Sequence, residues 1–188
     1  MRRLLLCLLT SLFAVHGFAA DKAKAWQTLD HCRYVDRPAN DGDSFGVQCG
    51  RSKLVLRLYF VDAPEVNLNF GERSREQAQH FGVSLDDTLK AGYQARDLVR
   101  NTLGAGFIVL TKKASAPGRG KEARYYGLVH AGGRYLHEVL IAEGLARAKG
   151  VTTTLPDGER SRDYLVKLGA MEERARVQRK GAWAHSTR

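Results

Sequence analysis

From His31 onward the hydrophobic pattern is short and β-like. His31–Asp36 leads into the turn sequence Asn40-Asp41-Gly42-Asp43, Ser44–Cys49 follows, and Gly50-Arg51 makes a second turn. Lys53–Val61 then alternates, with Leu54, Leu56, Leu58 and Phe60 on one face and Val55, Arg57, Tyr59 and Val61 on the other. That is the two-residue period of a strand, and Pro64 stops it. Three consecutive strands joined by tight turns predict a meander.

The period then changes. Arg73–Phe81 is polar and helix-prone, and Gly82 breaks it. Ser84-Leu85-Asp86-Asp87 reads as a helix cap with acids in the first turn. Leu85, Leu89, Tyr93, Leu98, Val99 and Leu103 supply an apolar stripe up to Gly104. Phe107–Thr111 and Arg124–His130 are predicted as a fourth and fifth strand, separated by a basic loop, with a turn at Gly132-Gly133. Tyr135–Arg147 is expected as an amphipathic helix carrying Leu136, Val139, Leu140 and Leu145. A last helix over Arg160–Arg179 turns Leu165, Leu168 and Met171 inward. This order predicts a mainly β, α+β fold: a five-stranded barrel of the oligonucleotide/oligosaccharide-binding type (OB-fold), flanked by about three helices.

The amino end follows another pattern. Arg2 and Arg3 precede an apolar run from Leu4 to Val15 and a close in small residues, the layout of a secretory signal peptide. Gly17 and Ala19 stand three and one positions before a cut after Ala19; a cut after Ala20 is the alternative. The run is shorter than the roughly 18 apolar residues of a membrane span, and no later stretch reaches that length. Residues 1–19 are therefore expected to be removed, leaving 20–188 as a single domain, secreted or periplasmic, without stable membrane insertion.

Composition narrows the partners. Thirty Lys and Arg face twenty Asp and Glu in 188 residues, a net +10. Removing 1–19 takes Arg2 and Arg3 and no acid, so the remainder keeps +8. Such an excess points to a polyanion: nucleic acid, an acidic membrane surface or an acidic polysaccharide. Hydrophobic content of 44% excludes wholesale disorder. Cys7 departs with the leader. The midpoint of Cys32 and Cys49 falls between Asn40 and Asp41, inside the turn sequence Asn40-Asp41-Gly42-Asp43, so on the two strands of that hairpin they face each other and can form a disulfide. The other reading is two unpaired buried thiols. No CxxC or His-Cys spacing supports a zinc site.

Two acidic clusters carry candidate chemistry. Asp41-Gly42-Asp43 by itself reads as a hairpin turn, and Asp62-Ala63-Pro64-Glu65 by itself resembles a helix-capping box. Taken together they say more. Asp43 begins the second strand and Asp62 ends the third, so an antiparallel hairpin brings both carboxylates to one end of the sheet. Two carboxylates, a nearby carbonyl and waters suit a hard divalent ion such as Ca²⁺. Arg57 could neutralise charge developing on a phosphate, and Glu65 could take a proton from water. The alternative for Arg57 is a solvated strand-face cation.

Asp41-Gly42-Asp43-Ser44, followed by Leu56-Arg57-Leu58-Tyr59-Phe60-Val61-Asp62-Ala63-Pro64-Glu65, resembles the staphylococcal nuclease (thermonuclease) family pattern, DGD then T or S, with R-L-x-x-x-D-x-P-E. Tyr126-Gly127-Leu128-Val129, Leu136-His137-Glu138-Val139-Leu140, Glu143-Gly144-Leu145-Ala146 and Lys180-Gly181-Ala182-Trp183 fit later blocks in order, ending where the family docks a Trp on the domain. The resemblance implies a Ca²⁺-dependent endonuclease cleaving DNA and RNA with little sequence preference, single strands preferred, as a monomer. By position it makes Asp43, Asp62 and the carbonyl of Ala63 metal ligands. Glu65 holds or activates the attacking water, and Arg57 binds the scissile phosphate.

The chain also departs from that pattern. The family's second arginine is replaced by Tyr126, and Arg124, two residues earlier on the same strand face, is the candidate to supply the guanidinium. The family's base-binding tyrosines are replaced by Lys149-Gly150-Val151-Thr152, leaving Tyr59, Tyr125 or Tyr126 for stacking. Arg119, Lys121 and Lys149 are candidate phosphate contacts. Glu72–Leu89 is longer than the family needs and has no assigned role. The competing readings are a catalytically weak or inactive nucleic-acid-binding barrel and a protein-interaction domain on the same scaffold.

Overall fold

Alternation and turn chemistry build the barrel. The computed structural model describes residues 25–118 and 122–188; the leader-like segment and Arg119, Gly120 and Lys121 lie outside the described residues. β1 (Gln27–Val35), β2 (Ser44–Cys49) and β3 (Ser52–Leu58) form the meander. β4 (Phe107–Thr111) and β5 (Arg124–Ala131) follow, and the short β6 (Arg134–Tyr135) extends β5 after the Gly132-Gly133 turn. The sheet runs β3-β2-β1-β4-β5-β6, and β3 also pairs with β5 in parallel, which closes the five-stranded barrel. Phe45, Val47, Leu56, Leu58, Val109 and Leu128 fill its interior. β3 is shorter than the alternation predicts. After Leu58 the chain bends, with Phe60 at φ 72°, and both Tyr59 and Phe60 are buried.

The β1–β2 register sets Cys32 opposite Cys49, and the two are disulfide-bonded. The observed register is therefore centred between Asn40 and Asp41, as the spacing of the two cysteines predicts.

Helices α1 (Gly71–Phe81), α2 (Leu85–Thr102), α3 (Leu136–Ala142) and α4 (Ser161–Val177) surround the barrel. Ser84 caps α2 through a hydrogen bond from the Asp87 N–H, 3.1 Å. The face of α2 turned inward matches the predicted stripe only in part: Val99 and Leu103 are buried and Leu98 packs against the core, but small residues fill the rest. Thr88, Ala91, Gly92, Ala95 and Val99 are buried and Tyr93 is 46% exposed, because the helix lies too close to the loops beneath it for bulky side chains. α3 also stops earlier than expected, at Ala142. Gly144 takes φ 68°, and a Cβ there would lie 2.3 Å from the Lys180 carbonyl oxygen. Trp183 is buried against Phe81, ring centroids 4.8 Å apart, and fastens the carboxyl end. Among the described residues no helix is long and apolar enough to cross a membrane.

Candidate active site

The β2–β3 hairpin brings the acids together at one end of the barrel. Ser44 pairs with Arg57, and the Leu58 N–H donates to the Asp43 carbonyl at 2.8 Å. Arg57 thereby faces Asp43, with Nη1 3.3 Å from Oδ1 and Nη2 3.3 Å from Oδ2. Asp41 Oδ1 accepts the backbone N–H of Asp43 (3.0 Å) and of Ser44 (2.6 Å), an Asx-type turn that fixes the loop. Past β3, Asp62 and Arg147 exchange two backbone hydrogen bonds of 3.1 Å. The helix-capping alternative at Asp62-Ala63-Pro64-Glu65 is not realised, since helical backbone begins only at Leu68.

α2 presses these loops into place. A Cβ on Gly92 would sit 2.3 Å from the Glu65 carbonyl oxygen; one on Gly42 would meet the Cβ atoms of Ala95 and Ala63 at 2.6 and 2.8 Å. The small residues of α2 are thus what lets the Asp41–Asp43 and Asp62–Glu65 loops share one site. Asp43, Asp62 and Glu65 end up 1%, 5% and 5% exposed.

Buried carboxylates need partners, and guanidinium groups supply them. Arg73, on α1, places Nη2 3.3 Å from Asp43 Oδ2 and in contact with Asp62 Oδ1, while its Nη1 lies 3.1 Å from Glu65 Oε1. One turn on, Gln77 Nε2 donates to the Ala63 carbonyl (2.8 Å) and to Asp62 Oδ2 (3.2 Å), and its Oε1 accepts the Glu65 N–H at 3.1 Å. Arg147 donates to Asp62 Oδ2 through Nε at 2.7 Å and lies 2.6 Å away through Nη2. Arg73, Gln77 and Arg147 were not singled out from the sequence. The one legible sign was the spacing of Arg73 and Gln77, four apart on a predicted helix of unassigned role.

The electrostatics divide the acids. Burial would raise Asp62, but Arg73, Arg147 and Gln77 hold its carboxyl below the ordinary range. Burial pushes Asp43 up, against the pull of Arg57 and Arg73. Glu65 is also pushed up by burial, with Arg73 opposing and Asp43 and Asp62 adding to the rise. Asp41 is driven well above the ordinary range by burial and by the charges of Asp43 and Glu65. Although burial works against it, Arg73 holds its proton more tightly than a free arginine because three carboxylates face it.

A cavity of about 670 Å³ opens onto this centre, lined by Asp41, Ser44, Arg57, Glu65, Arg73 and Arg124, with Phe70, Pro117 and Tyr126 among its walls. Arg124 projects from the same side of β5 as Tyr126, and its Nη2 donates to Ser44 Oγ at 2.6 Å. Burial and the neighbouring Arg57 make Arg124 give up its proton more readily. Tyr126 stands opposite Arg57 in the β3–β5 register, largely buried, with its ring stacked on Tyr59 at 5.1 Å. Tyr59 is a core residue. Lys149 pairs with Glu76 on α1 and does not line the cavity. Lys121 lies outside the described residues.

Residues 55–185, well over half the chain, match the family model described as staphylococcal nuclease homologue. The chain belongs to that family. No curated protein matches the sequence. Membership in the staphylococcal nuclease homologue family supports a nuclease-like or nucleic-acid-binding function. The calcium ion that the resemblance implies can be tested against the residues themselves. Their chemistry is right in kind, carboxylate and carbonyl oxygens, but Ca²⁺ takes about six to eight oxygens. Here Arg73, Gln77 and Arg147 already engage Asp62, the Ala63 carbonyl and one oxygen of Asp43. Among the described residues no group of three or more His, Cys, Asp or Glu is arranged to hold a metal ion. As arranged, the centre does not fit a calcium ion.

Proposed function

We propose that the chain is an exported phosphodiester hydrolase that cleaves single-stranded DNA and RNA with little sequence preference. The observation that carries this reading is the convergence of Arg57, Glu65, Arg73 and Arg124 on one cavity above the buried Asp43 and Asp62. A module that only held phosphates would gain nothing from acids buried beside them, since the charges repel a polyanion. Arg57 and Arg124 bind the non-bridging phosphate oxygens and stabilise the charge that grows on them as water adds to phosphorus. Glu65 accepts the proton of that water, and the bond from phosphorus to the leaving ribose or deoxyribose oxygen breaks. Asp43 orients Arg57. Phe70, 48% exposed and lining the same cavity, offers a ring on which a base can stack. Recognition through phosphates and one stacked base accounts for low sequence preference.

The leader-like segment and the Cys32–Cys49 disulfide support export. Because calcium does not fit the centre as arranged, no step above runs through an ion. A second reading, a nucleic-acid-binding barrel without hydrolysis, is favoured by Tyr126 standing where the family carries an arginine.

The test is incubation of labelled single-stranded DNA and RNA with the protein, in Ca²⁺, in Mg²⁺ and in chelator. Shortened products in at least one condition support hydrolysis. No product in any condition sinks it, and binding that weakens steeply with salt would then support the second reading.

A further inference from the structure

We propose that Arg73 is the resident cation of the acidic centre, and that a divalent ion and this side chain exclude each other. The inference concerns what holds the acids together, and stands whether or not the cavity hydrolyses phosphodiesters.

Asp43, Asp62 and Glu65 come from two separate loops, and each sends an oxygen to the same guanidinium. A planar guanidinium with five donors can bridge several carboxylates at once; a lysine ammonium, a point charge on a flexible stem, holds them less well. The neighbouring oxygens are taken from the same helix, since Gln77, one turn along α1, holds the Ala63 carbonyl and Asp62 Oδ2. Arg57 and Arg147 complete the neutralisation, facing Asp43 and Asp62 respectively. An ion entering among these oxygens would stand beside the Arg73 charge, and the two cations would repel each other. Asp43 Oδ1 is buried and makes no hydrogen bond, with Arg57 Nη1 3.3 Å away as its ion-pair partner. Removing Arg73 would release the oxygens it faces, Asp43 Oδ2, Asp62 Oδ1 and Glu65 Oε1, to an ion. The stretch of chain that had no role in the sequence therefore has one: it delivers Arg73 and Gln77 to the acids.

The deciding experiment is calorimetric titration of Ca²⁺ into the purified protein, paired with thermal denaturation at rising Ca²⁺. Wild type should show no saturable heat and no Ca²⁺-dependent rise in Tm. Arg73→Ala should bind Ca²⁺ at least about tenfold more tightly and gain such a rise. Arg73→Gln, which keeps bulk and polarity while losing the charge, should behave likewise if Arg73→Ala does not fold. Saturable binding by wild type that Asp43→Asn abolishes would overturn the proposal, whatever the variants do. So would a folded Arg73→Gln protein that binds Ca²⁺ no better than wild type. Neither readout depends on cleavage, so failure here is distinct from failure of the hydrolase reading.

Discussion

Two clusters of buried polar side chains lie against the barrel, and they are built on opposite principles. Under α3 and α4, His137 is fully buried; Tyr164 O–H donates to Glu138 Oε1 at 2.5 Å, and His137 Nε2 donates to the Tyr164 hydroxyl at 2.7 Å. Burial pushes the imidazole down to about 3, so it is neutral in the fold, and Phe60 and Tyr135 pack beside it. The acidic centre instead buries Asp43, Asp62 and Glu65 as an ion network with Arg57, Arg73 and Arg147, and it opens on a cavity. The neutral His137–Tyr164 pair leans on one half-buried carboxylate, Glu138, and leaves His137 Nδ1 without a hydrogen bond, a modest polar content for a packed scaffold. A charged network facing solvent costs desolvation that hydrophobic packing would avoid, so it is retained for what the charges do. On the proposed reading the first cluster belongs to the scaffold and the second to the chemistry.

That division can be broken from either side. The largest effect is expected from Arg57→Ala, which removes a donor to the phosphate. Cleavage per folded molecule should fall about 10²–10³-fold, and the denaturation midpoint should also drop because the buried Asp43 loses a partner. If stability fell and activity did not, the assignment would reverse. Cys32→Ser with Cys49→Ser opens a loop with a sequence separation of 17 and should cost about 3 kcal/mol in urea denaturation, while the folded fraction keeps its activity. His137→Ala should cost about 2–3 kcal/mol by the same measurement, also without altering the rate per folded molecule. A changed rate would tie the two clusters together.

The neutral imidazole also predicts an acid limb. The pKa of His137 is lower in the fold than in the unfolded chain, where it is about 6.5. Above that pH both states are neutral at this position. As pH falls toward 3, the unfolded chain takes up a proton that the fold refuses, so stability drops by up to about 1.4 kcal/mol per pH unit. Denaturation across pH should show this limb in wild type and lose its His137 share in His137→Gln. The smallest effect is expected at the cavity wall. Phe70→Ala should weaken single-stranded DNA binding by about 1 kcal/mol, read by fluorescence anisotropy.

The scaffold was largely legible because local rules govern it. The turn sequence Asn40-Asp41-Gly42-Asp43 lies at the centre of the β1–β2 register and so of the Cys32–Cys49 pairing, and alternation along β3 placed Arg57 on the face that meets Asp43. Legibility failed where close approach decides. Apart from Val99, the buried face of α2 consists of Thr88, Ala91, Gly92 and Ala95, residues with little hydrophobic signal, and their small size admits the Glu65 loop. Arg73 and Gln77 were hidden for a related reason. Nothing along the chain says that the polar face of α1 turns inward, because that follows from acids contributed by two distant loops. Arg147 likewise joins the site through a backbone bridge to Asp62 that no periodicity announces.

The central claim is that the charged cluster, not the barrel alone, makes this chain a hydrolase. Glu65→Gln tests it most directly, since the amide matches the carboxylate in shape and cannot accept the proton. Wild type and Glu65→Gln would be compared by single-turnover cleavage of single-stranded DNA, with circular dichroism and DNA affinity measured in parallel. The account predicts an unchanged fold, comparable binding and a cleavage rate reduced by at least about a hundredfold. A folded Glu65→Gln protein that cleaves at the wild-type rate would contradict it.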